Sequence, residues 1–301
     1  MQNYERTNLA EITPKNDLVF KRLFGSHGSE AICKDFIESI IGEKLESIEL
    51  NLSTELLPKS IRGKKTYIDV LAKLPDGRKI HIEMQTNPYG FTEKRALFYW
   101  SKVYSNTLKK KEDFNNLTKT ISIWIVDNAI IYKHTKDFHN VFGIVDKKHR
   151  DIDCFHDLEI HVIELKKFKE CDKLEENKMN FWLWFIDHNN EEMMNMGYIT
   201  NERIQEAREQ LDKIRSEEGL MHAIFLQEEY ERDEIAAKRR VREEGLAEGR
   251  AEGRAKGRAE GRAEGRAEAI KENAKKMLEK GIAITTISEI TGLSSAEIEN
   301  L

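Results

Sequence analysis

The stretch YIDVLAKLPDGRKIHIEMQ (residues 67–85) decides the fold, because it predicts two β-strands joined by a tight turn. The turn is PDG (residues 75–77), a three-residue connection with glycine where the backbone needs a left-handed conformation. Counting outward from this turn sets Asp69 opposite Glu83, within one residue. The hairpin is therefore expected to hold one carboxylate in the middle of each strand.

The placement of two acids opposite each other has to be explained, because like charges on neighbouring strands are destabilising. Cross-strand neighbours have Cβ atoms about 4.5–5.5 Å apart. Asp69 and Glu83 share a face with Gln85, since alternate strand residues point the same way, and the other face is apolar. Two carboxylates at this separation suit a divalent cation with oxygen ligands, such as Mg²⁺. The alternative is a solvent-facing strand with incidental acids that Arg78 and Lys79 neutralise.

The overall composition bounds the class of protein. The chain has 301 residues, enough for one sizeable domain with extensions or for two small domains. Its longest apolar stretches are too short to span a bilayer, and its first residues lack the apolar segment of a secretory signal. The three cysteines are widely spaced and form no disulfide framework. We therefore expect a cytoplasmic protein without membrane spans.

The net charge of −5 conceals a basic region around the hairpin. Residues 51–150 contain 19 Lys and Arg against 10 Asp and Glu. The basic groups cluster at residues 59–65, 77–79 and 101–111. A local basic surface beside acids is what an enzyme acting on phosphodiesters needs, whereas the overall acidity argues against a passive nucleic-acid coat. Ordinary surface lysines are the alternative interpretation.

Residues up to about 190 have the pattern of one α/β domain. Thr13 and Pro14 suit a helix start, and apolar periodicity predicts helices over residues 13–24, 29–41, 92–111 and 173–188. Strands are predicted over residues 47–52, 66–74, 78–86, 119–127, 141–146 and 159–165. This order of elements indicates a mixed sheet flanked by helices in residues 1–190.

The remainder of the chain is charged and predicted to be all-helical. Residues 191–244 are a charged helical region, and residues 245–268 repeat the motif GRAE. Glu and Arg two positions apart lie about 200° apart on a helix and cannot pair within it. The repeat is thus either a flexible linker or a helix that needs a partner. Residues 269–301 predict a small helix-turn-helix unit whose second helix is acidic, which favours a packing or oligomer role over DNA reading.

The motifs of the first 190 residues together resemble a known nuclease family. Asp in one strand, a short turn, and Glu-x-Gln in the next is similar to the PD-(D/E)XK nuclease superfamily. The combination resembles the recombination-promoting nuclease (Rpn) family more specifically, and it comprises TPKNDLVFKRLFG (13–25), Asp69, IEMQ (82–85), EKRALFYWSKVYS (93–105) and EIHVIELKKF (159–168). The helical tail is also similar to tails in that family. The resemblance implies a restriction-endonuclease-like fold and a metal-dependent DNA endonuclease that takes part in recombination or transposition.

The resemblance also implies roles for individual residues. Asp69, Glu83 and the carbonyl of Met84 would bind Mg²⁺, or another divalent cation such as Mn²⁺ or Ca²⁺. Asp17 matches the acid of the first helix and would complete the metal shell through a water. An equal alternative is that Asp17 is simply a carboxylate favoured in the first helical turn by the helix dipole. Gln85 stands where many superfamily members have lysine, and glutamine can hydrogen-bond a water but brings no charge.

The loss of that lysine leaves the activation of the attacking water open. Water activated by the metal itself is one answer, and Lys73 or Lys79 as a substitute is the other. Arg95, Tyr99 and Lys102 follow one another along a helical face and would hold a phosphate of the substrate. For Tyr99, packing in the core is an equal alternative.

Two rival interpretations stay open, and several motifs are missing. A non-catalytic DNA-binding or scaffold protein on a degenerate nuclease fold is the main rival, supported by Gln85. Zinc binding by Cys154, His156 and His161 is disfavoured because their spacing lacks a second ligand pair. The sequence has no GxxxxGK[ST], GxSxG or HExxH motif. We expect DNA as the partner and a homodimer formed through residues 200–301.

Overall fold

The fold was examined in a computed structural model that describes residues 12–51, 55–56, 66–87, 90–150, 155–171, 174–187 and 191–301. The basic residues 59–65 and Cys154, both named above, lie outside the described residues. The chain divides into two compact units, Met1–Glu228 and Glu229–Leu301.

The first unit is built on a mixed six-stranded sheet, as the sequence predicted. Its strand order is β1-β4-β5-β6-β8-β7, with β5, β6 and β8 parallel and the remaining neighbours antiparallel. The strands are β1 (Glu49–Leu50), β4 (Val70–Lys73), β5 (Lys79–Gln85), β6 (Thr120–Val126), β7 (His139–Phe142) and β8 (Leu158–Glu164). A separate two-stranded sheet pairs β2 (Glu55–Leu56) with β3 (Thr66–Tyr67).

Helices cover both faces of this sheet. They are α1 (Asp17–Phe24), α2 (Glu30–Ile41), α3 (Glu93–Ser105), α4 (Leu165–Lys169), α5 (Lys178–Asp187), α6 (Glu191–Thr200) and α7 (Glu202–Ser216). Every residue of the central strand β6 is buried, which explains its continuous apolar sequence. On one face the core includes α1, α2, α5 and α7, and on the other face α3 packs over Trp124 and Val126.

The hairpin has the predicted register but a shorter first strand. Val70 pairs with Ile82, and the amide of Leu74 donates to the carbonyl of Arg78 over 2.9 Å. Gly77 has φ of 90°, the left-handed conformation expected in this turn. Asp69 does not lie within a strand as we predicted. It lies in the break between β3 and β4, because the chain leaves the ladder there.

Other boundaries also differ from the sequence prediction. Helix α1 begins at Asp17 and is capped by the Asn16 side chain, which accepts from two backbone amides, rather than by Thr13. Helix α3 ends at Ser105, before the lysines of residues 109–111. The sheet domain also continues past residue 190, since α7 buries its apolar side in the same core, with Ile204, Ala207, Leu211 and Ile214.

The second unit contains most of a long helix and two short ones. Helix α8 (Glu218–Glu279) includes the whole GRAE repeat, so residues 245–268 are helical rather than a linker. Helices α9 (Ile284–Thr291) and α10 (Ser295–Glu299) follow, and Gly292 ends α9 with φ of 75°. Ala274, Ile287 and Ile298 form a small core between them and the end of α8. None of the helices among the described residues is both long and apolar enough to cross a bilayer.

Candidate active site

The two hairpin acids lie together, and each accepts a hydrogen bond from the backbone beside the other. Asp69 Oδ2 accepts from the amide of Met84 over 2.8 Å, and Glu83 Oε1 accepts from the amide of Asp69 over 3.3 Å. Asp69 is 7% exposed and Glu83 3% exposed. The predicted juxtaposition is therefore present, but backbone amides hold it, not a continuous strand ladder.

Burial makes this pair costly to ionise. Burial and the negative charge of Asp17 together raise the pKa of Asp69 to about 7, against the opposing charge of Lys21. Burial and the charge of Asp69 together raise the pKa of Glu83 well above its ordinary value. Two buried carboxylates that repel each other are stabilised when a cation binds between them. The pair thus has the electrostatics of an ion site.

Helix α1 brings a third acid and a lysine to the pair. Asp17 and Lys21 are one turn apart, and Lys21 Nζ lies 2.9 Å from Asp17 Oδ2 and 3.2 Å from Asp69 Oδ1. Asp17 is therefore beside Asp69, as the resemblance implied. Burial opposes the charge of Lys21, but the carboxylates of Asp69 and Asp17 outweigh it and raise the pKa of the ammonium group.

The close approach of α1 to the hairpin depends on Gly25. A Cβ at this position would lie 3.0 Å from the Lys21 carbonyl oxygen and 3.3 Å from that of Asp69. Such contacts are tighter than ordinary packing allows, and both partners are backbone atoms. Glycine at position 25 therefore lets the end of α1 pass directly against the segment that carries Asp69.

Gln85 is brought next to the acids but is already hydrogen-bonded to Arg95. Arg95 Nη1 donates to Gln85 Oε1 over 2.8 Å and to the Gly90 carbonyl over 2.7 Å. Arg95 Nη2 donates to the Tyr99 hydroxyl over 3.3 Å, and the guanidinium lies 5.6 Å from the Trp124 ring centroid. A side chain at Gly90 would overlap the Gln85 amide. Arg95 thus lies at the site and fixes the Gln85 amide, whereas Tyr99 contacts Arg95 and packs against the Trp124 ring.

The three remaining predicted lysines lie elsewhere. Lys102 Nζ lies over the Phe98 ring, 5.5 Å from its centroid. Lys79 is at the opposite end of β5 from Gln85, roughly 20 Å away at ~3.3 Å per residue, and its Nζ donates to the Asn106 carbonyl. Lys73 pairs with Lys79 at that same end. Neither Lys73 nor Lys79 can reach a water at the acids, so that prediction was wrong.

Sequence reasoning missed Lys21, the cation that the structure places at the acids. A signal was present, since Lys21 follows Asp17 by four residues on a predicted helix. Four-residue spacing alone predicts an ordinary surface ion pair. The contact with Asp69 depends on how α1 docks on the sheet, which no local pattern reports.

Four charged side chains form ion pairs next to the carboxyl ends of β5 and β6, namely Lys15, Asp127, Lys169 and Asp187. The amide of Asp127 donates to the Gln85 carbonyl over 2.9 Å, which extends the pairing of β5 with β6. Lys15 lies 3.1 Å from Asp127 and 2.9 Å from Asp187, and Lys169 lies 3.2 Å from each. These contacts hold α1 and α5 against the carboxyl ends of the central strands, next to the acids.

The oxygen atoms at the site fit a hard divalent cation. The amide of Met84 faces Asp69, and in a strand the carbonyl of a residue lies on the same side as its amide. Two carboxylates and one backbone carbonyl are the ligands that Mg²⁺ or Ca²⁺ prefers. Within the part of the chain described by the structure, no group of three or more His, Cys, Asp and Glu side chains is placed so that it could hold a metal ion. Lys21 instead contacts Asp69 directly.

His161 and His156, which were considered as zinc ligands, lie in different environments. His161 bonds with His139 over 2.9 Å and with Glu159 over 2.8 Å through its two ring nitrogens. His156 is exposed, and Cys154 lies outside the described residues.

Comparison with known protein families agrees with this geometry. Residues 14–240 match the family described as PD-(D/E)XK nuclease family transposase. The chain belongs to this family. Residues 268–301 match the C-terminal helix-turn-helix domain of the Rpn/YhgA-like nuclease family. Both the PD-(D/E)XK resemblance and the Rpn resemblance are thereby confirmed. Searches of curated proteins and of solved structures found no match.

The family matches also bear on the helical part of the chain. The PD-(D/E)XK match extends to residue 240, past the boundary near residue 190 that the sequence suggested. The Rpn match places α9 and α10 in a helix-turn-helix domain, a class of unit that binds DNA in many proteins. The packing role that we expected for this unit stays a prediction.

Proposed function

We propose that the protein is a divalent-metal-dependent endonuclease that hydrolyses phosphodiester bonds of DNA. The observation that carries the proposal is the buried pair Asp69 and Glu83. Asp69 accepts from the Met84 amide, Glu83 accepts from the Asp69 amide, and both carboxyl groups have raised pKa values. Asp69, Glu83 and the Met84 carbonyl would hold the ion, preferably Mg²⁺. A cation bound there would lower the pKa of a water and stabilise charge on the phosphate.

The other residues of the site have roles that follow from their contacts. The Gln85 amide, oriented by Arg95, has an NH₂ group left to donate to a water or a phosphate oxygen. Asp17 is part-exposed on α1 and can accept from a water at the ion. Arg95 is hydrogen-bonded to Gln85 and Tyr99, so we propose that its main role is to position the Gln85 amide. Binding of a substrate phosphate is its lesser role.

DNA is the substrate that the chain as a whole supports best. The hairpin and α3 lie in the basic third of the sequence, and the chain carries a helix-turn-helix domain. Lys102 is part-exposed on α3 and remains suited to contact a backbone phosphate. Cleavage of DNA is the step that recombination and transposition share, so either process is compatible with this activity.

The rival proposal is a DNA-binding protein without catalysis. It is favoured by one observation, that Gln85 Oε1 is occupied by Arg95 where a lysine would otherwise face the acids. It predicts salt-dependent DNA binding with no turnover in any divalent metal.

Plasmid cleavage tests the proposal and separates it from the rival. We expect the wild-type protein to nick supercoiled plasmid in Mg²⁺ but not in EDTA, and Asp69→Asn and Glu83→Gln to lose cleavage by about a hundredfold or more. Asp76→Asn is the matched control, because Asp76 is an exposed acid in the turn of the same hairpin, bound to Arg78. Cleavage that survives both site substitutions, or that is absent from the wild type in Mg²⁺ and Mn²⁺, contradicts the proposal.

We also propose that the GRAE helix joins two copies of the chain. Residues 245–268 are helical and exposed on all sides in the single chain, and a Cβ at any repeat glycine would meet no atom within 4 Å. Each glycine costs a helix about 1 kcal/mol relative to alanine, so a partner helix is needed to offset that cost. A dimer would also bring two sites to the two DNA strands.

Light scattering at micromolar concentration tests this dimer. The full-length chain is expected to have the mass of a dimer, and a chain ending after Arg240 the mass of a monomer. That end point keeps α7 and the buried Ile224, which a cut near residue 195 would remove from the core. A chain ending after Lys280 lacks α9 and α10 but keeps the repeat, and it should stay dimeric. A monomeric full-length protein, or a dimeric chain ending at residue 240, shows that the repeat does not mediate association.

A further inference from the structure

We propose that Lys21 is a tethered counter-ion of the acidic pair, which competes with the divalent cation for Asp69 and then stays at the site as the positive charge that Gln85 lacks. The proposal rests on the proposed metal site. It follows from three features: which oxygen of Asp69 Lys21 faces, what else is cationic nearby, and where Lys21 is anchored.

The first feature is that Lys21 faces the oxygen of Asp69 that does not accept from the Met84 amide. Oδ2 already accepts from the Met84 amide over 2.8 Å. Oδ1 lies 3.2 Å from Lys21 Nζ. Oδ2 keeps a second lone pair for a cation, but at Oδ1 a divalent cation held jointly by Asp69 and Glu83 would meet the ammonium group. Ammonium and metal cannot both be closest to that oxygen, so binding of one weakens binding of the other.

The second feature is that the neighbouring cations are committed to other partners. Arg95 is bound to Gln85, Gly90 and Tyr99. Lys15 and Lys169 each contact both Asp127 and Asp187. Lys167 contacts Glu164 at the end of β8 over 2.7 Å. None of the partners named for these four cations is Asp69, although the charge of Arg95 acts on Glu83. Lys21 is thus the cation that the fold places against Asp69.

The third feature is that Lys21 has a second anchor. Its Nζ lies 2.9 Å from Asp17 Oδ2, one helical turn away on α1. When a metal takes Asp69 Oδ1, this contact keeps the ammonium group within the site instead of releasing it to solvent. A charge held there can stabilise negative charge that develops on a substrate phosphate, as preorganised cations do in phosphoryl transfer.

The test measures metal binding without DNA, by calorimetric titration of the full-length protein with Ca²⁺ at constant ionic strength. The variants are Lys21→Met, Lys21→Arg and Lys34→Met. Lys34 is the matched control, since it makes the same one-turn ion pair, with Glu38 over 3.0 Å on α2, and its side chain is 31% exposed against 33% for Lys21. Plasmid cleavage in Mg²⁺ is measured on the same samples.

Lys21→Met is expected to bind Ca²⁺ about fivefold more tightly than the wild type, the effect of removing one partly screened charge pair. The same variant is expected to cleave plasmid at least about tenfold more slowly. Lys21→Arg should retain wild-type Ca²⁺ affinity within about twofold, and Lys34→Met should match the wild type in both measurements.

Two outcomes overturn the inference. One is unchanged or weaker Ca²⁺ binding by Lys21→Met while the wild type binds the ion, and the other is tighter binding shared equally by Lys34→Met. Failure of the proposed function looks different, because the wild-type protein would then bind no Ca²⁺, or Asp69→Asn would bind it as well as the wild type does.

Discussion

Asp69→Asn is expected to stabilise the metal-free protein at pH 8 by about 2 kcal/mol or more, while it abolishes cleavage. The pKa of Asp69 is about 7 in the folded protein and about 3.9 in an unfolded chain. Because the folded-state value is the higher one, the native state binds more protons between these limits, and stability falls as the pH rises from about 4 through 7.

The size of this effect follows from the shift and from what asparagine retains. The difference between the folded and unfolded pKa values of Asp69 corresponds to about 4 kcal/mol of stability. About 1 kcal/mol is subtracted because the substitution also removes the contact with Lys21. Asparagine has the shape of aspartate, and its side-chain oxygen can still accept from the Met84 amide. Catalysis is lost because the neutral amide is a poor ligand for a divalent cation.

Urea unfolding in EDTA at pH 5 and at pH 8 measures this prediction. The gain for Asp69→Asn should be large at pH 8 and shrink toward pH 5, where Asp69 of the folded wild type is protonated. Asp76→Asn is the control, since Asp76 is exposed and hydrogen bonds from Arg78 outweigh its slight desolvation and lower its pKa, so no gain is expected at pH 8. If Asp69→Asn raised the free energy of unfolding equally at pH 5 and pH 8, ionisation of Asp69 would not destabilise the folded protein.

Trp182→Ala is expected to destabilise the first unit by about 3–5 kcal/mol. Trp182 is fully buried on α5, and its ring lies 5.7 Å from Phe24 and 5.6 Å from Phe36 between ring centroids. Its indole nitrogen donates to Asp35 over 2.9 Å. The substitution removes this aromatic packing from the helices that hold α1 in place and leaves a cavity.

Chemical unfolding followed by circular dichroism measures the loss at Trp182. Phe114→Ala is the matched control, because the Phe114 ring is 79% exposed and its removal should change stability by less than about 0.5 kcal/mol. Since Trp182 does not contact the acids, the folded fraction of Trp182→Ala should cleave plasmid at the wild-type rate. A loss below about 1 kcal/mol would mean that the core around α5 repacks readily.

The hairpin and its acids could be predicted from the sequence because both depend on local rules. The turn at residues 75–77 fixes the register, and the register fixes which residues are opposite each other. The exact place of Asp69 could not be predicted in this way, because the strand break before Val70 has no glycine or proline to mark it.

The contacts of Lys21 and Arg95 depend on tertiary structure. Both have long side chains that can reach several partners, and the choice between those partners depends on how α1 and α3 dock on the sheet. The extent of the core was easier to predict from the sequence. Ile204, Ala207, Leu211 and Ile214 recur at helical spacing, which indicates a buried helix face, but the many charges around them led us to end the domain near residue 190.

The chain break at Asp69 has a consequence for the size of the ion that the site can accept. Glu83 lies in β5 and is paired with Trp124 of β6, so its backbone belongs to the ladder. Asp69 lies between β3 and β4, which belong to different sheets, so its position does not depend on a ladder hydrogen bond. Oxygen ligands lie about 2.0–2.1 Å from Mg²⁺ and about 2.3–2.6 Å from Ca²⁺. One rigid and one adjustable carboxylate can follow that difference in ionic radius, so we expect weak discrimination between the two ions in binding.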